Sequence, residues 1–190
     1  VGIPGKKWEQ IESFAAAVPK RRIPAVDWCS GKGYLSHRLL DRQIASASTC
    51  LEIDPRLCAA GRTLADKSGA AISFAQVDVL GQRSLPPELL LQPTSCHVAL
   101  HACGGLHRRM LTGAVAAGAA QICCAPCCYD KHPPRGDASA LVEPLSTTAL
   151  SHSRLVLQYA DLKLACTGGV AARRRDQRLA HRGSHRGWRA

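Results

Sequence analysis

One stretch limits what this chain can fold into more than any other: Ala25-Val-Asp-Trp-Cys-Ser-Gly-Lys-Gly-Tyr-Leu-Ser36. A short apolar run, Ile23–Cys29, meets a glycine turn. A helical pattern from Tyr34 to about Gln43 follows, with Leu35, Leu39 and Leu40 on one face. A strand feeding a helix through such a turn lets a ligand approach the backbone, because glycine has no Cβ to block it. Alone the motif is weak, since many turns are rich in glycine.

Its surroundings strengthen it. Strand-like runs at Thr49–Ile53, Ala71–Val77, Cys96–His101 and Gln121–Ala125 alternate with helical patterns, one opened by Pro55 and one spanning Leu106–Ala117. This alternation predicts an α/β fold, a Rossmann-like, doubly wound and mostly parallel sheet with helices on both faces. Before it, Trp8, Ile11, Phe14, Ala15 and Val18 predict an amphipathic helix with Trp8 facing the core. Pro86 and Pro87 fall in a loop or short helical turn, Ala140–His152 is a further expected helix, and Leu155–Leu164 is strand-like. The expected division is residues 1–22 as helix and linker, 23–168 as the ligand-binding domain, and 169–190 as a poorly ordered basic tail. The sheet is expected to be truncated at both ends, since one strand-like segment remains where a complete sheet of this kind turns back on itself.

Composition sets the outer bounds. Hydrophobic residues are 46% and charged residues 21% of 190, a globular balance. The net charge is +11, but seven Arg against the single Asp176 put more than half of it in residues 171–190. Ten cysteines without an export signal at the N-terminus indicate a reduced, cytoplasmic protein rather than a disulfide scaffold. The stretch Met110–Pro126 is too polar to span a membrane, so no membrane partner is expected.

Three acids at strand ends accompany the glycine turn. Asp27 precedes the turn, Glu52 closes the second strand, and Asp78 closes the third. Asp27 suits an ammonium, Glu52 a pair of ribose hydroxyls, and Asp78 an adenine amino group. Each has an ordinary alternative as a strand-end charge or helix cap. Together, Asp-x-x-x-Gly-x-Gly, Leu-Glu-Ile-Asp-Pro-x-Leu over 51–57, and Asp78 resemble class I S-adenosylmethionine-dependent methyltransferases. The resemblance implies S-adenosylmethionine as cofactor, held by Asp27, Cys29, Gly31, Gly33, Glu52, Asp54, Asp78 and Val79. Cys29 stands where the family pattern has its first glycine. The rival, a nicotinamide or flavin domain, wants Gly or Ala where Ser36 stands and predicts neither Asp27 nor Asp78.

The fourth and fifth strands lead into His101-Ala-Cys-Gly104 and Cys123-Cys-Ala-Pro-Cys-Cys-Tyr-Asp130. Both resemble motifs in a branch related to tRNA ribose 2′-O-methyltransferases, which implies a methyl acceptor in tRNA or another RNA, ribose or base. His101, Cys103 and Tyr129 are the candidate catalytic residues, with His101 as base for a hydroxyl nucleophile. A buried, structural histidine is the other reading of His101. Cys124-Ala-Pro-Cys127 is one C-x-x-C pair, and a structural zinc normally takes two, so no metal is expected; packing of small apolar thiols ranks first. Lys6, Lys7, Lys20, Arg21, Arg22, Arg108 and Arg109 are candidate phosphate contacts, or else a solvated basic face. Two other functions stay open: a non-catalytic module with the cofactor fold, and a metal- or redox-active C-x-x-C protein.

Overall fold

The computed structural model describes residues 5–81, 94–126, 128 and 146–151. The expected elements around Pro86, the strand 155–164, the tail 169–190, Cys127 and Tyr129 lie outside these residues. By contacts the chain divides into two units, Val1–Cys127 and Cys128–Ala190. In the second, Thr147–Ser151 is helical, within the range 140–152 expected to be a helix.

The first unit holds five parallel strands: β1 (Ile23–Trp28), β2 (Ala45–Glu52), β3 (Ile72–Gln76), β4 (Cys96–Leu100) and β5 (Gln121–Ala125). Their order is β3-β2-β1-β4-β5, with every neighbouring pair parallel. This is the Rossmann-like α/β sheet that the alternating pattern implies. The strand order reverses between β1 and β4, and in open α/β sheets a ligand crevice opens beyond the strand ends at that point. The described residues of this unit form four helices: α1 (Gly5–Ala17), α2 (Tyr34–Asp41), α3 (Pro55–Ser68) and α4 (Gly105–Ala116).

Alternation along the strands divides the core between two faces. Ala25, Cys96 and Val98 meet Ile11 and Ala15 of α1, Val18 just beyond it, and Leu35 and Leu39 of α2. Val26, Trp28, Leu51 and Ala99 meet Met110 of α4 on the other face. Nearer the β3 edge, Cys50, Cys58 and Phe74 form a third cluster. Gly61 of α3 is required there, because a Cβ would stand 2.2 Å from Phe74 Cζ.

Local detail departs from the sequence reading at two places. Trp8 is 38% exposed rather than core-facing, and the Arg38 guanidinium lies 5.6 Å from its ring centroid. The helical spacing that includes Trp8 is carried by Ile11 and Ala15, which take the buried face. Pro24 sits inside β1, within the run Ile23–Cys29. It falls where the register against β2 shifts, between Ile23 and Ala25, so its missing N–H coincides with an irregularity. Finally, β2 starts at Ala45, four residues before the expected Thr49. The Ala-Ser-Ala-Ser run has no strand signature, and its pairing with β1, Ile23 with Ala45 and Ala25 with Ser48, makes it a strand.

Candidate functional site

The ends of β1 and β4 carry unusual backbone. Cys29 has φ 58° and His101 has φ 66°, the left-handed region that side chains disfavour. Both residues stand at the point where the strand order reverses. The sequence departs from its family pattern at Cys29, yet the chain keeps a glycine-like conformation there. Strain of this kind concentrates where surrounding structure holds it for a purpose.

Two cavities adjoin at Cys29, which lines both. The first, about 160 Å³, is walled by Lys7, Asp27, Gly31, Tyr34 and His101 among others. The second, about 320 Å³, is a mostly apolar slot formed by Ile53, Val79, Leu80 and Leu106, with Glu52 and Asp78 on its wall. One cavity thus pairs polar groups with a buried acid, and the other offers apolar faces to a flat ring with carboxylates at its edge. Six of the eight residues expected to hold the cofactor line one or both cavities: Asp27, Cys29, Gly31, Glu52, Asp78 and Val79.

Each acid has its own environment. Asp27 is 2% exposed. Burial pushes its carboxyl up to about 7, against the lowering effect of the hydrogen bonds from Ser36. Ser36 Oγ donates to Asp27 Oδ2 at 2.8 Å, and the same hydroxyl lies 2.8 Å from Ser48 Oγ and 3.2 Å from Cys50 Sγ. Glu52 is held by three backbone donors. Gly31 N–H donates to Oε2 at 2.8 Å, and Ile53 and Asp54 N–H donate to Oε1 at 2.9 and 3.0 Å. The bond from Gly31 ties the glycine turn to the end of β2. Asp78 Oδ1 accepts from Leu80 N–H at 3.0 Å, which turns the chain after β3.

The other two expected cofactor residues are not among those lining the two cavities. Asp54 caps α3, accepting from Arg56 N–H at 2.8 Å, and its side-chain bonds with Arg56 hold its carboxyl below the usual range. Gly33 adopts φ +73° at the start of α2, and a Cβ there would meet Phe74 Cζ at 2.8 Å and Cys50 Sγ at 3.2 Å. Its role in the fold is to let the turn pack against β2 and β3.

His101 ends β4 with its backbone N–H donating to Ala125 O at 3.0 Å. Its ring Nε2 lies 3.1 Å from Gln10 Oε1 of α1. Cys103 Sγ donates to His101 O at 3.2 Å and so closes the turn that carries the histidine. The buried histidine of this strand is instead His97, which is wholly enclosed. Trp28 Nε1–H donates to its Nδ1 at 3.2 Å, which leaves Nε2 to carry the proton toward Ser95 Oγ at 3.1 Å.

The thiols behave as packing groups. Burial pushes Cys29, Cys50 and Cys96 up to about 12, with Glu52 and Asp27 adding to the effect on Cys29. Among the described residues, no group of three or more His, Cys, Asp or Glu is placed to hold a metal ion. Also among the described residues, no helix is long and apolar enough to cross a membrane.

Sequence reasoning missed Gln10 and Tyr34, together with Ile53, Leu80 and Leu106 of the slot, and read Lys7 as a phosphate contact rather than as part of the cavity wall. Ile53 and Leu80 are 58% and 50% exposed, and a large apolar side chain just after a strand-end acid is the signal that could have found them. Lys7 and Gln10 had no such signal, because α1 reaches the site only through tertiary packing.

A parallel β3-β2-β1-β4-β5 order, a glycine turn tied to the acid of β2 and a cavity at the reversal point define a Rossmann-like domain for a nucleoside-containing cofactor. A family model described as a methyltransferase domain matches residues 6–133, and the chain belongs to that family, with S-adenosylmethionine as its cofactor. A comparison with curated proteins gave no match. Among solved structures, the 23S rRNA methyltransferase ErmE is 25% identical, covers 60% of this chain and 42% of its own, and has a TM-score of 0.45. An uncharacterised protein from Listeria monocytogenes is 19% identical, with 63% and 51% covered and a TM-score of 0.49. An rRNA methylase from Streptococcus thermophilus is 10% identical, with 62% and 64% covered and a TM-score of 0.37. The chain spans about half the length of the first two.

The residues present fit the cofactor. The two adjoining cavities offer a buried acid for an ammonium at one end and an apolar slot edged by carboxylates for a nucleoside at the other. Lys7, on the wall of the first cavity, adds a cation for a carboxylate.

Proposed function

We propose that this domain transfers a methyl group from S-adenosylmethionine to RNA in the cytoplasm, at a ribose or base of tRNA or another RNA. The observation that carries the reading is the pair of cavities meeting at Cys29, with Asp27 on one wall and Glu52 and Asp78 on the other. Asp27 and Lys7 bind the amino-acid end of the cofactor, Glu52 the ribose, and Asp78 the adenine edge between Ile53, Val79, Leu80 and Leu106. Gly31 positions the Glu52 carboxylate, while Gly33 and Asp54 shape the turns on either side. When bound, the cofactor supplies a methyl on a cationic sulfur, a good leaving group, so alignment provides most of the catalysis.

His101 takes the acceptor's proton, and Cys103 and Tyr129 complete the catalytic set. Lys6, Arg108 and Arg109 provide cations for the RNA backbone. The motifs His101-Ala-Cys-Gly104 and Cys127-Cys-Tyr129, with the excess of positive charge, support RNA as acceptor.

Calorimetry with S-adenosylmethionine tests the cofactor half, and tritiated methyl transfer to total cellular RNA and total protein tests the acceptor half. Binding together with label in RNA is expected. Absence of binding sinks the whole reading, and label confined to protein sinks the RNA assignment.

A further inference from the structure

Beside the cofactor cavities lies a larger opening that the reading above does not use. A groove of about 620 Å³ runs between α1 and the ends of β4 and β5. Leu100 and His101 line both this groove and the cavity that contains Asp27, so the two spaces meet at the histidine. We propose that this groove seats the methyl acceptor, an RNA nucleoside whose nucleophile carries a proton as O–H or N–H, and that Gln10 positions His101 to receive that proton. The inference rests on the methyltransferase reading and adds where the acceptor lies and what its reacting group must be.

Phe14, Leu100 and Pro126 give the groove an apolar floor suited to the face of a base. Lys6 and Glu9 both line it, so their charges offset one another and the interior favours an uncharged group. An acceptor such as an ammonium side chain would meet no excess of acid. Lys6 on the groove and Lys7 on the cofactor cavity lie one residue apart on α1, so cations flank the junction, where a nucleoside's phosphates would run.

The His101–Gln10 contact sets the tautomer. Gln10 Oε1, 3.1 Å away, accepts from Nε2–H, which leaves Nδ1 of the neutral ring with its lone pair. A neutral amide in this place orients the imidazole without holding it charged. As the acceptor's lone pair forms the bond to the methyl carbon, the carbon–sulfur bond breaks with its electron pair left on sulfur. The acceptor's proton passes to Nδ1 and then to water, so charge and atoms balance. An acceptor nitrogen without a proton to lose would gain nothing from this arrangement.

The test uses the full chain with three variants, Ser13→Trp, Gln10→Ala and Gln10→Glu. Ser13 is an exposed α1 residue on the groove, so a tryptophan there fills the opening without entering the core. Expected are S-adenosylmethionine affinity within about twofold of wild type and RNA methylation reduced about 100-fold. Gln10→Ala should lower kcat by about 10-fold with KM unchanged, and nitrogen chemical shifts of the His101 ring should show loss of the Nε2–H tautomer. Gln10→Glu should restore kcat and move the acidic limb of the pH profile upward, since a carboxylate favours the imidazolium. Wild-type methylation by Ser13→Trp overturns the groove while leaving the cofactor reading intact. An unchanged tautomer in Gln10→Ala overturns the positioning role. Label in protein that Ser13→Trp blocks overturns RNA as the occupant. Failure of the wild-type chain to bind S-adenosylmethionine, in contrast, removes the methyltransferase reading itself.

Discussion

The β1–β3 side and the β4–β5 side of the sheet are built on different terms. On the first, each acid is engaged within the chain: Asp27 by Ser36, Glu52 by three backbone N–H groups, Asp54 by Arg56 and Asp78 by Leu80. On the second, His101 is held by its backbone and by one contact from α1, and its ring is exposed. The first side is ordered before any ligand arrives, which lowers the entropy lost on binding. The second leaves its reactive group accessible, as a base must be if it is to meet an acceptor. Binding and chemistry should therefore separate along the line between β1 and β4.

The largest effect should come from the exposed side. His101→Ala is expected to reduce methyl transfer by about 100- to 10,000-fold, the range for loss of a general base. Its cofactor affinity should stay within about twofold of wild type. Measuring both on one preparation breaks the comparison if the affinity falls alongside the rate.

Asp27→Asn tests the opposite side. Replacing the ionised partner of an ammonium should weaken S-adenosylmethionine binding by about 10- to 100-fold in calorimetry at pH 8. Stability should move the other way. Asp27 has a folded value of about 7 against an ordinary 3.8, so its contribution is fully present below the ordinary value and is lost as pH rises through about 7. The asparagine keeps an acceptor for Ser36 and removes this loss, so the variant should melt at a higher temperature than wild type at pH 8 and gain little at pH 4. The same titration governs binding. An ammonium selects the ionised form, so wild-type affinity should fall by up to about tenfold per pH unit below 7 and level off above it. Asp27→Asn should show no such slope, and a slope that persists in the variant would assign the titration to another group.

How much of this was readable in the sequence follows the same division. The glycine turn, Asp27, Glu52 and Asp78 belong to strand ends that apolar runs mark directly, and the order of those runs already implies the sheet. The start of β2 was not readable, because Ala45-Ser-Ala-Ser48 becomes a strand only through its neighbour. Gln10 was hidden for a stronger reason: it meets His101 across 91 residues of chain, and one sequence records no trace of that proximity. Asp54 and Gly33 were readable as motif residues, while their places as a helix cap and a packed turn emerge only with the fold. Local signals identified the pre-ordered side, and tertiary packing assembled the other.

The smallest effect bears on the seam itself. Cys29 keeps a left-handed backbone at φ 58° where a glycine would carry no penalty, and a residue with a Cβ costs about 1–2 kcal/mol there. Its side chain offsets part of that cost by packing against the cluster of Val26, Trp28 and Leu51. Cys29→Gly should therefore raise stability to denaturant by about 1 kcal/mol or less. It should also open the wall shared by the two cavities and weaken S-adenosylmethionine binding by a few-fold, since the sulfur no longer closes the space between them. Greater stability with weaker binding would mean that the strained cysteine is retained to shape the cofactor site. A variant that is less stable would mean instead that the thiol's packing outweighs the strain, and that Cys29 belongs with the structural cysteines of the core.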